Sequence, residues 1–153
     1  RYVVDIGGPE GAPPTPIGRV ARAVEDRLDA LQSRAQIGAV TGIATVAGTA
    51  RRGDYPWYYL DDGVYGSYSG QLFDHASYPL QVLNTSPERQ ASILAGPTCD
   101  SIDVIAEDIL LPELKEGDLV IGHMMGAYTY ATATRFNGYG AFDILVTDSV
   151  FVS

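Results

Sequence analysis

Cysteine and basic residues are scarce in this 153-residue sequence. Cys99 is the one cysteine, so no disulfide can form within the chain, and this is typical of a reducing compartment. We therefore expect a cytoplasmic protein. Ten Lys and Arg against nineteen Asp and Glu give a formal net charge of −9, which argues against nucleic acid as a partner. The charge suits a cationic small molecule, a basic partner or simply a solubilising surface.

Long apolar runs and recognisable metal motifs are also missing. No apolar run approaches the ~20 residues that a membrane-spanning helix needs, so we expect no membrane partner. One cysteine and two separated histidines, His75 and His123, match no zinc spacing. Asp61 and Asp62 lack the oxygen-rich loop of a calcium site, and we expect them to form a turn. A composition of 46% hydrophobic and 19% charged residues indicates a folded globular chain.

The first 38 residues predict one β-turn-α unit. Residues 2–6 are an apolar run that ends in Gly7 and Gly8, and an apolar stripe then predicts a helix over residues 16–33. Such a unit is the repeating element of an α/β (TIM) barrel, which needs eight of them. Because the sequence also opens at Arg1 inside a strand-like run, we expect residues 1–38 to be the remnant of a larger domain.

The pattern changes to β from residue 39 onward. Short runs rich in β-branched and aromatic residues alternate with Gly, Pro or Asn, which is typical of a barrel or sandwich. We predict strands in AVTGIATVAGTARR, WYYLDDG, YPLQVLN, ASILAG, DLVIG, AYTYATATRFN and FDILVTDSVFV. We also predict a short helix or turn between Ser101 and Leu111, and Asp74 at the end of an apolar strand. The chain is thus mainly β, with a second domain over residues 39–153.

Residues 96–103, GPTCDSID, place a thiol and a carboxylate side by side on a Gly-Pro turn. Cys99 and Asp100 are therefore candidate functional groups, although a lone cysteine is also common as an inert buried side chain. A nucleophilic Cys-His pair is disfavoured because nothing in the local sequence brings His75 or His123 to the thiol.

Two further segments combine aromatic residues with glycines. In residues 57–75, Asp74 is either a turn residue or a carboxylate kept for an ammonium group. In residues 122–140, small residues flank Tyr128, which either packs in the core or protrudes as a phenol. The residues by themselves identify no reaction.

Four motifs in order carry a family resemblance. YYLDDGVYGSYSGQLFDH, GPTCDSIDVI, LPEL followed by GDLVIG, and MGAYTYATATRFNG span about residues 58 to 138. Together they resemble the fold-type III pyridoxal-phosphate-dependent decarboxylases of ornithine, lysine, arginine or diaminopimelate, which have an alanine-racemase-like fold. DIGG at residues 5–8 is similar to the family's phosphate loop. The resemblance identifies residues 39–153 as the C-terminal β-barrel domain.

The resemblance implies a cofactor, pyridoxal 5′-phosphate, and a head-to-tail homodimer whose two active sites use residues from both chains. It implies decarboxylation of a basic amino acid. Asp100 after the cysteine favours a plain distal ammonium over diaminopimelate, and we favour L-ornithine, giving putrescine, over lysine. Carried over by position, the roles are protonation of the intermediate for Cys99, binding of the distal ammonium for Asp74 and Asp100, pocket lining for Phe136, and cofactor phosphate binding for Tyr128, Gly7 and Gly8.

The sequence departs from the family pattern before residue 39. The family's Schiff-base lysine has no counterpart, since the only lysine is Lys115 in a charged turn. The stacking histidine and the Glu-Pro-Gly-Arg segment are also missing, and Pro9 and Glu10 replace the third glycine and aromatic of the phosphate loop. We predict that this chain by itself is catalytically inactive. Two alternatives remain open: a non-catalytic regulator that binds a true decarboxylase, and a structural domain with vestigial polar loops.

Overall fold

The computed structural model describes residues 40–126, 128–140 and 143–144. The strand and helix predicted over residues 2–33, including Gly7 and Gly8, lie outside the described residues. The boundary near residue 38 and nearly all of the strand predicted over residues 142–152 lie outside them as well. Within the described part, no helix has the length and apolar character needed to cross a membrane.

Six strands of the described part form one sheet in the order β3-β6-β1-β2-β4-β5. Only β2 and β4 pair in parallel, and the other neighbours are antiparallel. The mainly-β prediction is confirmed, and the expected barrel is present as a curled half with β3 and β5 at its edges. The strands are β1 Val40–Arg52, β2 Tyr55–Leu60, β3 Leu80–Val82, β4 Gln90–Ala95, β5 Val104–Leu111 and β6 Leu119–Met125.

The long strand β1 joins the two halves of the sheet. Its first half pairs with β6, with Ile43 opposite Ile121, and its second half pairs with β2, with Thr49 opposite Tyr58. A register irregularity between Val46 and Gly48 lies at the start of the half that pairs with β2, and such bulges bend and twist a strand. The concave side of the bent sheet encloses the main core, whose fully buried members include Val46, Leu60, Val64, Tyr68, Leu94, Val120 and Met125.

The parallel pairing of β2 with β4 positions the candidate site. Tyr59 lies opposite Ala95, so the carboxyl ends of both strands lie side by side at the same end of the sheet. The loops over residues 61–69 and 96–103 therefore leave the sheet side by side. The long connection between the two strands contains helix α1, Gly70–Phe73, and the edge strand β3.

The short helix or turn predicted between Ser101 and Leu111 is present as a turn at residues 101–102. The segment from Val104 to Leu111, which was not predicted as a strand, is β5, because Ile105 and Leu111 bury their side chains in the core. Two other sequence predictions were wrong. Asp74 follows helix α1 and not a strand. The strand predicted over residues 127–137 is instead helix α2, Tyr128–Thr132, followed by a 3-10 turn at Phe136–Gly138.

One local contact and one long-range contact explain why that last segment is helical. Thr129 donates its backbone N–H and its Oγ1 hydroxyl to the carbonyl of Gly126, at 3.1 and 2.6 Å, which starts a helical turn. The Oγ1 atom of Thr132 then lies 2.7 Å from the Oγ of Ser69. These bonds outweigh the β preference of the alternating Thr and Tyr residues, since strand propensity depends strongly on context.

Candidate functional site

A hydrogen bond between Tyr65 and Asp100 joins the two loops that follow β2 and β4. The Tyr65 hydroxyl donates to Oδ2 of Asp100 at 2.6 Å, and the Ile102 N–H donates to Oδ1 at 3.1 Å. The Tyr65 bond is the main cause that lowers the pKa of Asp100. The same bond, followed by burial, raises the pKa of Tyr65 to about 12. At neutral pH the pair is therefore a protonated phenol and a carboxylate anion.

Asp103 anchors the second loop against the first. Only 2% of its surface is exposed, and its carboxylate accepts from the N–H of Val64 and from both the N–H and the hydroxyl of Thr98, at 2.9, 2.9 and 2.7 Å. A Cβ on Gly63 or Gly96 would overlap this carboxylate, so both positions require glycine. Because a buried charge needs such donors, Asp103 fixes the distance between the two loops.

Asp61 and Asp62, which were expected to form a turn, lie just before it, since the turn covers residues 64–69. Asp61 accepts from the Thr45 N–H at 2.7 Å. Asp62 is buried and accepts from the N–H groups of Gly63 and Ser67, at 2.8 and 3.0 Å, and from the Ser67 hydroxyl. Both carboxylates thus stabilise the backbone of the 61–69 loop. The described residues contain no group of three or more His, Cys, Asp or Glu arranged to hold a metal ion.

Cys99 is exposed at the tip of the second loop, beside the segment that follows α2. The Nδ2 atom of Asn137 donates to the Cys99 sulfur at 3.1 Å. The preceding ring, Phe136, packs against the ring of Tyr65 with a centroid separation of 4.5 Å, and the N–H of Thr134 donates to the Tyr65 carbonyl at 2.7 Å. The structure therefore gathers three predicted site residues, Cys99, Asp100 and Phe136, around Tyr65.

The other predicted site residues lie elsewhere. Asp74 is exposed at the end of α1. Burial is the main cause that raises the pKa of Tyr78, and the negative charge of Asp74 raises it further. Tyr128 begins α2, but its side chain lies outside the described part, as do Gly7 and Gly8. The roles of these four residues stay predictions.

Sequence reasoning missed Tyr65, Asp103 and Asn137. All three stand in the quoted motifs, but their partners are 35, 39 and 38 residues away in the chain. The available signal was local: Tyr65 lies between glycines in DGVYGS, Asp103 ends CDSID, and Asn137 precedes a glycine in FNG. Such glycines permit tight turns and close approach of neighbouring groups.

The cluster formed by Tyr65, Cys99, Asp100 and Phe136 carries negative charge, which suits a cationic ligand. Asp100 presents a partly exposed carboxylate, with the buried Asp103 on the same loop. Lys115, the only lysine of the sequence, lies on an exposed turn between β5 and β6 that is closed by a 3.0 Å bond from its N–H to Asp118 Oδ2. The described residues therefore do not fit a site for the phosphate or the imine of pyridoxal phosphate. His123 bonds Gln81 at 2.9 Å, which gives the rival Cys-His pair no support.

Comparison with known proteins identifies the fold family. Residues 2–126 match the model of the C-terminal sheet domain of the pyridoxal-dependent decarboxylases. The chain belongs to this family. Across 101 residues it is 48% identical to the lysine/ornithine decarboxylase of Selenomonas ruminantium, a match that covers 66% of this chain and 25% of that protein. The decarboxylase-family chain is also 48% identical over 86 residues to antizyme inhibitor 2 of Xenopus laevis, covering 54% of this chain and 19% of the relative.

A solved structure supports the same assignment. The lysine/ornithine decarboxylase of Vibrio vulnificus in complex with cadaverine matches with a TM-score of 0.71 and 44% sequence identity. The match covers 88% of this chain and 40% of that one. This decarboxylase sheet domain thus spans a quarter to two fifths of the length of these two decarboxylases.

Proposed function

We propose that this chain is the sheet domain of a pyridoxal-phosphate-dependent decarboxylase that converts a basic amino acid, L-ornithine, into putrescine. The observation that carries the proposal is the Tyr65–Asp100 hydrogen bond beside the exposed Cys99. It places a fixed anion and a thiol on one loop, at a surface that is open to a partner. Family membership supports the reaction class.

Asp100 binds the distal ammonium of the substrate. A carboxylate offers about four lone-pair positions, and the chain itself occupies two of them through Tyr65 and Ile102. The remaining positions accept N–H bonds from an ammonium group. Because Tyr65 keeps its proton up to a pKa of about 12, it remains a donor and holds Asp100 anionic at every physiological pH.

Cys99 governs a proton transfer next to the bound substrate. Its sulfur is exposed and lies one residue from Asp100, so a substrate held by Asp100 would extend past the thiol. Phe136, which is 40% exposed, provides an apolar wall for the methylene chain. By family resemblance, Asp74 is the second carboxylate, and Tyr128, Gly7 and Gly8 bind the cofactor phosphate.

The groups that hold the cofactor lie outside the described part of the chain, which includes the backbone of Tyr128 but not its side chain. The cluster is acidic and its surroundings offer no lysine in the described part, so the imine lysine must come from additional polypeptide. An exposed loop that carries both Cys99 and Asp100 suits a site completed by a second chain, which supports the head-to-tail homodimer implied by the resemblance.

The expected substrate follows from the kind of cationic group that Asp100 can bind. The Vibrio vulnificus relative is described with bound cadaverine, a linear diamine with no carboxylate, which supports a pocket for a simple distal ammonium. Diaminopimelate would bring a second carboxylate toward Asp100 and be repelled. Between ornithine and lysine we favour ornithine, and a higher kcat/KM for ornithine than for lysine in the full-length enzyme would support that choice.

The direct test uses the full-length protein loaded with pyridoxal phosphate, with diamine release measured by chromatography. Asp100→Asn keeps the size of the side chain and removes the charge, and we expect KM for ornithine to rise about a hundredfold. The matched control is Asp54→Asn in the exposed β1–β2 turn, which should leave KM unchanged. Absence of diamine release from the wild type, or equal KM values for both variants, would contradict the proposal.

A second candidate function is that of a non-catalytic regulator. The observation that favours it is the 48% identity to antizyme inhibitor 2, a relative that is not named as a decarboxylase. A regulator of this type would form heterodimers with an active decarboxylase through the Cys99–Asp100 face. Size-exclusion chromatography of the mixture, combined with activity assays, separates the candidates: a mixed dimer without intrinsic activity supports the regulator. Neither activity nor a mixed dimer would leave a structural domain.

A further inference from the structure

The backbone conformation around Asn137 fixes the direction of its side-chain amide. Asn137 has φ 54° and ψ 19°, in the left-handed region, and Gly138 follows with φ 81°. Asparagine is among the few residues that occupy this region readily, because its short polar side chain tolerates it. Gly140, with φ 101°, closes the turn, and a Cβ there would overlap the carbonyl oxygen of Thr134. The turn over residues 134–140 thus requires this specific conformation.

The same turn is attached to the residue that holds Asp100. The Thr134 N–H donates to the Tyr65 carbonyl at 2.7 Å, and the Phe136 N–H donates to Thr134 Oγ1 at 3.3 Å. The Phe136 ring packs on the Tyr65 ring at 4.5 Å. Asn137 is therefore held in a constant position relative to the loop that carries the Tyr65–Asp100 bond.

The aimed amide meets the sulfur of Cys99. With Nδ2 at 3.1 Å from Sγ, the sulfur acts as acceptor, so its own S–H bond must point away from the Asn137 amide. Two neighbouring residues of one loop thus each have a dedicated donor, Tyr65 for the Asp100 carboxylate and Asn137 for the Cys99 sulfur. We propose that Asn137 is a positioning residue that orients Cys99 for proton transfer. This inference rests on the function proposed above for Cys99.

The kinetic test uses Asn137→Gly in the full-length holoenzyme. Glycine keeps the left-handed backbone without strain and removes the amide. We expect kcat to fall about tenfold, the effect of one lost hydrogen bond to a reacting group, while KM stays unchanged because Asp100 keeps Tyr65 and Ile102. The control is Asn84→Gly, which removes a 2.9 Å amide bond to the Glu113 carbonyl outside the cluster. A fall in kcat together with a rise in KM and a loss of stability would mark a merely structural role and overturn the inference.

A second measurement does not depend on turnover. Asn137→Asp keeps the size and the backbone preference of the side chain but replaces the N–H donor with an oxygen. We expect iodoacetamide to alkylate Cys99 about tenfold more slowly in this variant, because the reactive thiolate loses its hydrogen-bond donor. Mass spectrometry of the Cys99 peptide measures the rate. Unchanged alkylation would overturn the inference. Slower alkylation with unchanged kcat in Asn137→Gly would keep the contact but contradict the role proposed for Cys99.

Discussion

The hydroxyl of Tyr65 donates a 2.6 Å hydrogen bond to the Asp100 carboxylate across 35 residues of sequence. The bond can form because β2 and β4 run in parallel and their carboxyl ends lie side by side. It fixes the direction of one Asp100 oxygen and keeps the group charged. The consequences for substrate binding and for stability are open to direct measurement.

Tyr65→Phe should weaken substrate binding without removing the acid itself. With the donor lost, Asp100 can rotate and its pKa rises toward the ordinary value of 3.8. We expect KM for the basic amino acid to increase about tenfold and the acid limb of the kcat/KM profile to move to higher pH. The chain offers a matched control in Tyr55→Phe, since the Tyr55 hydroxyl bonds Asp108 of the edge strand β5, away from the Tyr65–Asp100 pair. Identical pH profiles for the wild type and Tyr65→Phe would refute this role.

The same hydroxyl should contribute to stability at high pH. The pKa of Tyr65 is raised from 10.0 to about 12 in the folded chain, so its stabilising effect is fully present below pH 10 and is lost as the pH rises through 12. Wild-type stability should therefore drop across this window by more than that of Tyr65→Phe. Urea unfolding at several pH values, followed by the fluorescence of Trp57, the single tryptophan, measures the difference. Parallel stability curves would contradict the expectation.

Asp103 should contribute to the folding of the site more than any other acid in it. In Asp103→Asn, an NH₂ group replaces either Oδ1, which accepts from the Val64 N–H, or Oδ2, which accepts from the N–H and the hydroxyl of Thr98. We expect a loss of about 3 kcal/mol in the free energy of unfolding, since buried donors lose their acceptor. Chemical denaturation checks this, with Asp54→Asn as the exposed control. A loss equal to that of the control would show that the buried carboxylate does not hold the loops together.

Gly96 offers an independent test of the same contact. A methyl group at this position would overlap the Asp103 carboxylate, with little room for the buried acid to move. Gly96→Ala should therefore destabilise the chain by about 2 kcal/mol, in the range of an overpacked core site. Gly48→Ala is the matched control, because nothing lies within 4 Å of a Cβ at Gly48. If both alanine variants unfold at the same denaturant concentration, the steric argument is wrong.

Local patterns were sufficient for most of the sheet and for part of the site. Apolar and β-branched runs bounded by Gly or Pro marked the strands, and the Gly-Pro turn marked Cys99 and Asp100 as candidate functional groups, of which Cys99 is exposed in the structure. The residues that organise the site could not be predicted, because the parallel alignment of β2 and β4 is a long-range property. Spacing along the chain does not reveal which strands are neighbours. For the same reason the segment around Thr129 was assigned to a strand, although tertiary contacts make it helical.

The last prediction concerns the source of the imine lysine. Lys115 is an exposed residue on a turn whose backbone is fixed by Asp118, so the turn offers no enclosed pocket around its amine that could hold a cofactor. The 153-residue chain by itself, mixed with pyridoxal phosphate, should therefore release no diamine and show no visible absorbance of a covalently bound cofactor. In the full-length protein, Lys115→Met should leave kcat and KM unchanged. Loss of activity in that variant, or a specific absorbance in the isolated chain that disappears with it, would place the cofactor on this turn and overturn the division of roles between the sheet domain and additional polypeptide.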